Sequence, residues 1–319
     1  MSRNLLHLIF FLILIFGVSL FFSLCYNKKS CSFSETHLMN KIITPNTGLH
    51  DSSPISVLTT SNPIYKISLI SDTHENSEIF LKLQESLSKE NPSLLLHLGD
   101  VTNYGTKDSF KTAKADLNTL NIKYYVFPGD HDIAETSSLE NFNSFFSFPK
   151  TLEFSEFSIL YIPNFYNFTP LSDEDFDFVI SNINSSEIII SSQPIFVNED
   201  NIFFNKFMGS EAAFENLTLT QSQNLTKYNN QRIRILDEIR KTSVPKFIIS
   251  GDHHRSSNFY DPINPQVSYH ILGSLAKYIE FGNSKILQTS LQSNRYSILE
   301  VYKEDNAAIT FKIREIELK

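Results

Sequence analysis

Four apolar segments of the chain run directly into aspartate or histidine. ISLISDTH ends at His74, SLLLHLGD at Asp100, YYVFPGDHD at Asp132 and KFIISGDHH at His254. Ionisable side chains at the end of a buried strand are costly unless they are solvated, paired or bound to a cation. If the four strands lie side by side, these side chains meet at one edge of the structure, and the pattern predicts a metal site there.

The elements that must position these side chains alternate between strand and helix in the first half of the chain. Apolar runs predict strands over 65–71, 93–98 and 122–127, and amphipathic spacing predicts helices over 76–89 and 106–120. Such alternation is typical of a largely parallel sheet covered by helices. Open α/β sheets place their sites at the carboxyl ends of strands, where these aspartates and histidines lie.

The second half of the chain is richer in strands. We predict helices over 139–146, 172–182 and 230–241, and strands over 152–162, 186–191, 245–250, 267–272, 295–302 and 308–317. Residues 304–306 indicate a hairpin turn between the last two strands. The segment 195–228 shows no readable pattern, and we expect it to select the substrate together with 133–150. The sequence of neither segment identifies the substrate.

The composition of the chain excludes several classes of function and of site. The chain has 319 residues, a formal net charge of -8 and no run of Lys or Arg, which argues against a nucleic-acid surface. Its 2 cysteines, Cys25 and Cys31, precede the domain and give it neither a disulfide framework nor a thiolate metal site. Hydrophobic residues make up 41% of the chain, enough for one large core, and we predict that residues 62–319 form a single catalytic domain.

The N-terminal segment is predicted to attach the protein to a membrane. Residues 5–25 are almost uninterruptedly apolar and match the ~20 residues that span a bilayer, so we assign 1–25 to an uncleaved anchor. Acylation of Cys25 is the alternative, although Leu24 stands where a lipoprotein signal needs a small residue. The polar residues 26–61 indicate a flexible tether. The flanking charges do not fix the orientation, and we favour an extracytoplasmic domain.

Five short blocks of the chain resemble the calcineurin-like metallophosphoesterase family, whose pattern is Asp-x-His, Gly-Asp-x-x-Asn, Gly-Asn-His-Asp/Glu, His-x-Pro and Gly-His-x-His. The blocks here are Asp72-Thr73-His74, Gly99-Asp100-Val101-Thr102-Asn103, Gly129-Asp130-His131-Asp132, Ser192-Gln193-Pro194 and Gly251-Asp252-His253-His254. The first two blocks match fully, and each of the others departs at one position. The resemblance covers about 65–302 and implies the family's four-layer α/β/β/α sandwich with two mixed β-sheets.

Carried over residue by residue, the resemblance implies a first metal held by Asp72, His74, Asp100 and His254. All of these residues are present in the chain. Asp100 would also bridge to a second metal.

The second metal site departs from the family. Its other ligands there are an Asn and two His, and the corresponding residues here are Asp130, Ser192 and Asp252. Carboxylates in place of nitrogen ligands make a hard oxygen site, which favours Mn, with Fe or Mg as further candidates, over Zn. Either the site is retained in altered form, with Ser192 as a poor ligand, or it has decayed. We expect two divalent metal ions.

The resemblance also implies a mechanism in which a hydroxide generated between two metals attacks phosphorus in line. We assign His131 as the general acid toward the leaving alkoxide, because an imidazole can donate a proton near pH 7. Asp132 is adjacent and is predicted to orient that imidazole. Asn103 matches the family's Asn, which holds a metal-bound carboxylate or a substrate oxygen.

The expected function is therefore that of a metal-dependent phosphoesterase acting on a small phosphate ester or an envelope component, with no protein partner. A carboxylate-rich pocket repels a dianionic monoester more than a monoanionic diester, which favours phosphodiesters. The alternative is a catalytically silent binding module, which the three altered blocks suggest. His97 and His270 are interpreted as core histidines, and His253 as a structural or exposed residue.

Overall fold

The computed structural model describes residues 62–166, 169–196, 219–276, 293–304 and 308–319. The predicted anchor at 1–25, the tether at 26–61 and most of the segment 195–228 lie outside these stretches. Within the described stretches, no helix is both long enough and apolar enough to cross a bilayer.

The strands of the described residues are numbered in chain order. They are β1 (Tyr65–Ile70), β2 (Leu94–Leu98), β3 (Tyr124–Phe127), β4 (Thr151–Glu153), β5 (Ser158–Ile162), β6 (Ile188–Ser191), β7 (Lys246–Ser250), β8 (Ser257–Tyr260), β9 (Val267–Ile271), β10 (Arg295–Lys303) and β11 (Ile309–Glu317).

These strands form two mixed sheets. The first has the order β11-β10-β1-β2-β3, in which β1, β2 and β3 are parallel and β10 and β11 are antiparallel to their neighbours. The second has the order β4-β5-β6-β7-β9-β8, in which β5, β6, β7 and β9 are parallel and the edge strands β4 and β8 are antiparallel. The predicted parallel pairing of the first three strands is confirmed.

Helices follow the parallel strands. They are α1 (Ser77–Glu90), α2 (Lys107–Thr119), α3 (Glu140–Asn143), α4 (Asp173–Asn182) and α5 (Leu219–Ile239), with a 3-10 turn at His131–Ile133. Side-chain caps fix where two of them begin: the hydroxyl of Thr106 accepts from the Ser109 N–H before α2, and that of Ser172 accepts from the Asp175 N–H before α4.

Apolar residues divide between the two faces of each sheet, because successive side chains of a strand point in opposite directions. In β1, Ile67 and Leu69 pack in the core between the sheets, whereas Ile70 packs against α1 and α2. In the second sheet, Ile190 joins the central core and Ile189 packs with α4 and α5. The three cores separate four layers, which confirms the predicted α/β/β/α sandwich.

Three element boundaries differ from the sequence predictions. Helix α5 begins at Leu219 rather than at 230, because its first turns are polar and carry no apolar stripe to mark them. The strands predicted around 152–162 are the antiparallel pair of β4, over 151–153, and β5, over 158–162. Strand β8 escaped prediction, because SNFY is a short edge strand with little apolar pattern.

Candidate metal centre

The predicted ligands lie in turns at the ends of neighbouring strands. Asp72 follows β1, Asp100 follows β2 and Asp130 follows β3, and Asp252 follows β7 of the second sheet. Because β1, β2 and β3 are parallel neighbours, their turns share one edge of the first sheet.

Two glycines let these turns approach one another. A Cβ at Gly251 would lie 2.0 Å from Oγ of Ser71, and a Cβ at Gly129 would lie 2.1 Å from Oδ1 of Asp100. Both distances are far below van der Waals contact, so any side chain at either position would push the turns apart.

The first cluster consists of Asp72, His74, Asp100 and His254. Each offers one ligand atom, and these atoms all lie within 4.8 Å of one another. Nε2 of His254 is 3.3 Å from Oδ1 of Asp72 and 3.4 Å from Nε2 of His74. All four residues are buried. Two carboxylates and two imidazoles at this spacing match the donor set that divalent transition metals prefer.

The hydrogen bonding of the buried Asp72 carboxylate indicates whether a cation fits the first cluster. Its side chain has 0% exposure, and neither oxygen accepts a hydrogen bond from any described residue. A buried carboxylate without donors is strongly unfavourable. A divalent ion between Asp72 and the other three residues removes that cost, so the cluster fits a metal.

The electrostatic environment of the first cluster shifts the pKa values of His74 and Asp100. Burial, followed by the charges of His254 and His131, holds the pKa of His74 well below its usual range, so its imidazole is neutral and able to bind a metal. Burial, followed by the charges of Asp130 and Asp72, raises the pKa of Asp100 well above its usual range. A bound cation would reverse this second effect by attracting the ionised form.

The backbone of the first cluster is left-handed at every ligand. The φ angles are 56° at Asp72, 44° at His74, 56° at Asp100 and 51° at His254. Residues other than glycine adopt this region rarely, at a cost of about 1 kcal/mol or more each, and such strain gathers at functional sites. The turns are therefore held in an unfavourable conformation that gathers the side chains.

The second cluster consists of Asp100, Asp130 and His131, whose ligand atoms also lie within 4.8 Å of one another. The backbone N–H of His131 donates to Oδ1 of Asp100 at 3.1 Å. The His131 ring meets the ring of His74 edge to face, with centroids 4.9 Å apart. Asp100 belongs to both clusters, as a bridging carboxylate would.

Asp252, the other predicted ligand of the second metal, belongs to neither cluster. Its carboxylate is buried, and Oδ1 accepts a hydrogen bond from Nε2 of Gln193 at 3.4 Å. Burial, followed by the charges of Asp130 and Asp72, raises its pKa well above the usual range. Asp252 is thus close enough for the carboxylates of both clusters to shift its pKa. Its role as a ligand stays a prediction.

The hydroxyl of Ser192 is engaged by residues outside the two clusters. Its hydroxyl donates to the carbonyl of Pro128 at 2.5 Å and lies 3.0 Å from the hydroxyl of Tyr161. The residue is buried between the strands. A hydroxyl committed to these two partners agrees with the expectation that Ser192 is a poor ligand.

His131 is oriented by the main chain of Asn103. Nδ1 of His131 lies 2.8 Å from the Asn103 carbonyl oxygen, which can only accept, so Nδ1 carries a proton. The Asn103 side chain donates to the carbonyl of His74 at 3.1 Å and thereby braces the turn after β1. The orienting role was predicted for Asp132, and the contribution of the Asn103 carbonyl was missed because a main-chain group leaves no signal in the sequence.

Asp132 ties together the turns after β2 and β3. Its carboxylate accepts from the N–H groups of Val101, Thr102 and Gly129 at 3.2, 2.9 and 2.9 Å, and from the Thr102 hydroxyl at 2.9 Å. Burial raises the pKa of Asp132 to about 6 against these hydrogen bonds, which lower it. Its visible contribution is to hold the two loops that carry the second cluster.

A buried pair, Thr73 and His97, supports the first cluster. Nε2 of His97 lies 2.9 Å from the hydroxyl of Thr73, which stands between Asp72 and His74. Burial lowers the pKa of His97 to about 3, so the ring is neutral. His97 is a core histidine, as expected, but its contact with Thr73 could have been suspected only from its place in the strand next to β1.

Comparison with known proteins identifies the family of the chain. The sequence profile of the calcineurin-like phosphoesterases matches residues 65–256, more than half of the chain. This chain belongs to the calcineurin-like phosphoesterase family.

Three known proteins are similar to parts of this chain or to its fold. A stretch of 52 residues is 38% identical to a probable glycerophosphodiester phosphodiesterase from Arcobacter nitrofigilis, and covers 16% of this chain and 19% of that protein. A dimetal phosphatase from Danio rerio is 12% identical with a TM-score of 0.50, over 81% of this chain and 100% of that structure. A purple acid phosphatase from yellow lupin (Lupinus luteus) seeds is 10% identical with a TM-score of 0.53, over 80% and 52%. At these identities, the two structures support the fold alone.

Proposed function

We propose that this phosphoesterase hydrolyses phosphodiesters in preference to phosphomonoesters, with two divalent metal ions and His131 as the general acid. The observation that carries the metal dependence is the buried Asp72 carboxylate, which accepts no hydrogen bond from the described residues and lies among three further ligands. Divalent ions in such a site polarise phosphoryl oxygens and lower the pKa of an attacking water.

Carboxylates around the second cluster support the preference for diesters. Asp130 and Asp252 stand where the family has Asn and His, and both contribute to the negative field that raises the pKa of Asp100. A monoester brings two negative charges into this field and a diester brings one, so the monoester meets the larger repulsion. The short match to a probable glycerophosphodiester phosphodiesterase points the same way.

His131 supplies a proton to the leaving alkoxide in this proposal. The Asn103 carbonyl accepts from Nδ1 and leaves Nε2 to carry the transferable proton. Because His131 also belongs to the second cluster, the geometry admits a competing role as a metal ligand. Variants of His131 separate the two roles, because loss of a ligand lowers the metal content and loss of a proton donor does not.

The proposed metals are Mn first, with Fe or Mg as alternatives. Asp72, His74, Asp100 and His254 provide two imidazoles, whereas Asp130 and Asp252 would add only oxygen. Oxygen-rich sites favour these harder ions over Zn. We further propose that 1–25 anchors the protein in a membrane with the domain outside the cytoplasm, where its substrate is a small phosphate ester or an envelope component. Partition of the full chain between membrane and soluble fractions checks that anchor.

The test compares kcat/KM for bis(4-nitrophenyl) phosphate and 4-nitrophenyl phosphate in excess Mn, alongside the metal content per chain. We expect two equivalents of metal and faster cleavage of the diester. Equal or reversed rates would contradict the diester preference, and one equivalent would contradict the two-metal proposal.

The competing proposal is a binding module that retains the fold without turnover. Its support is Ser192, which stands where the family has a histidine ligand and whose hydroxyl is engaged by Pro128 and Tyr161. Phosphate-ester binding without hydrolysis of either substrate, at any concentration of Mn, would favour this second proposal.

A further inference from the structure

Gln193 is a buried residue beside the candidate metal centre to which the sequence analysis gave no role. Its main chain is fixed at two points by Asn164, whose Nδ2 donates to the Gln193 carbonyl at 2.6 Å and whose Oδ1 accepts from the Gln193 N–H at 3.3 Å. Pro194 follows and restricts the conformation of the residue before it. The side chain of Gln193 therefore leaves a rigid main chain.

The register of the second sheet brings Gln193 to Asp252. Strands β6 and β7 are parallel neighbours with Ser191 opposite Ser250, so the residues that follow each strand lie side by side. The N–H of Gly251 donates to the carbonyl of Ser192 at 3.1 Å and continues this pairing beyond the strands. One residue further along, Nε2 of Gln193 donates to Oδ1 of Asp252 at 3.4 Å.

The chemistry of this contact suits a carboxylate among other carboxylates. Asp252 is buried and lies within the influence of Asp130 and Asp72. A cationic partner would compete with a metal, whereas an amide N–H stabilises the carboxylate without adding charge. An amide that holds Oδ1 also fixes the direction of Oδ2, because the carboxylate is planar.

We infer that Gln193 is a positioning residue for the second metal, and that it orients Asp252 so that this carboxylate can replace the ligand lost at Ser192. This inference rests on the proposed two-metal function. Gln193 acts through Asp252. The segment after β6 thus contributes a hydrogen-bond donor at Gln193, one residue after the position at which the family pattern has a metal-binding histidine.

The experiment is calorimetric titration of Mn into the full chain carrying Gln193→Met, a change that keeps the length of the side chain and removes the donor. We expect the second equivalent to bind about 10- to 100-fold more weakly, the range found when partners of metal ligands are lost, and the first to bind as in the wild type. The electron paramagnetic resonance signal of coupled Mn ions should weaken in parallel.

Gln231→Met is the matched control. Gln231 has the same 7% exposure as Gln193, and its amide accepts from the Leu171 N–H at 2.8 Å and donates to the Leu171 carbonyl at 3.1 Å. We expect this variant to bind both equivalents as the wild type does. If Gln193→Met does not fold, Gln193→Leu takes its place.

The titrations distinguish failure of the inference about Gln193 from failure of the proposed two-metal function. Wild-type affinities for both equivalents in Gln193→Met, or the same weakening in Gln231→Met, would overturn the inference and leave the proposed function standing. A single equivalent in the wild type would overturn the two-metal function and this inference with it.

Discussion

The first and second clusters both lie at the ends of parallel strands but differ in how closely their residues match the family pattern. The first has four buried candidate ligands, and each is the residue that the family pattern has at that position. The second consists of Asp100, Asp130 and His131. Near it, the Ser192 hydroxyl is engaged by Pro128 and Tyr161, and Asp252 accepts a hydrogen bond from the amide of Gln193. Strand order brings both sets of turns together, whereas individual side chains decide what each set can bind. A shared scaffold thus carries one intact site and one remodelled site.

The largest expected effect comes from Asp72→Asn in the first cluster. Loss of a charged ligand should lower kcat/KM by about 1000-fold or more, equivalent to about 4 kcal/mol, and remove tightly bound metal. The free energy of unfolding of the metal-free protein should rise, because an unneutralised buried charge is gone. Kinetics, metal analysis and denaturant titration check these results.

Asp130→Asn is the control for that comparison. It introduces the residue that the family has at this position and keeps an oxygen ligand, so we expect less than about a tenfold loss of kcat/KM, as for a retained coordination set. Equal losses in Asp72→Asn and Asp130→Asn would mean that the two clusters do not differ as described.

His131→Ala separates a proton donor from a ligand in the second cluster. As a general acid, its loss should lower kcat by about 100- to 10,000-fold for an alkyl leaving group. The loss should be much smaller for nitrophenolate, which departs without a proton. Metal content should stay unchanged, as measured on the same preparations. Loss of one equivalent would instead assign His131 as a ligand.

Thr73→Val tests the support of the first cluster. The change removes the hydroxyl that contacts His97 and keeps the side-chain volume, so we expect the first equivalent of Mn to bind about tenfold more weakly. Thr73→Ser keeps the hydroxyl and should bind as the wild type does. Calorimetric titration measures both variants, and identical affinities in Val and Ser would show that the Thr73 hydroxyl contributes nothing to the cluster.

The smallest effect is the dependence of metal binding on pH. Burial and neighbouring carboxylates raise the pKa of Asp100 and Asp252 in the metal-free protein, so these groups retain protons to higher pH than usual. A cation must displace those protons, so Mn affinity should rise as the pH rises. His74, whose pKa is lowered, is already neutral and should release none. Calorimetry in two buffers of different ionisation enthalpy measures the release, and heats that do not depend on the buffer would contradict it.

Much of the first cluster could be predicted from the sequence. An apolar run that stops at Asp72 or Asp100 marks both a strand and the place where it ends, and parallel strands bring such ends together. The alternation of strands and helices in the first half predicted a parallel sheet covered by helices, whereas the four layers were implied by the resemblance to the family.

The remodelled site could not be predicted in the same way. Whether Ser192 or Gln193 faces the metal centre depends on how the chain leaves β6, and contacts with Pro128, Tyr161 and Asn164 decide this. Those partners are distant in sequence and carry no pattern that links them to the block. The carbonyl of Asn103 was missed for a related reason, since main-chain groups are the same at every position.

The left-handed backbone at the four ligands of the first cluster also determines how its mutants must be interpreted. Replacing Asp72 or His254 by alanine removes a ligand but leaves a Cβ in a disfavoured conformation, so an alanine scan combines two penalties in one number. Glycine removes the same ligand and relieves the main chain. Paired glycine and alanine variants at each position therefore yield the conformational energy stored in the turns, separately from the energy of coordination.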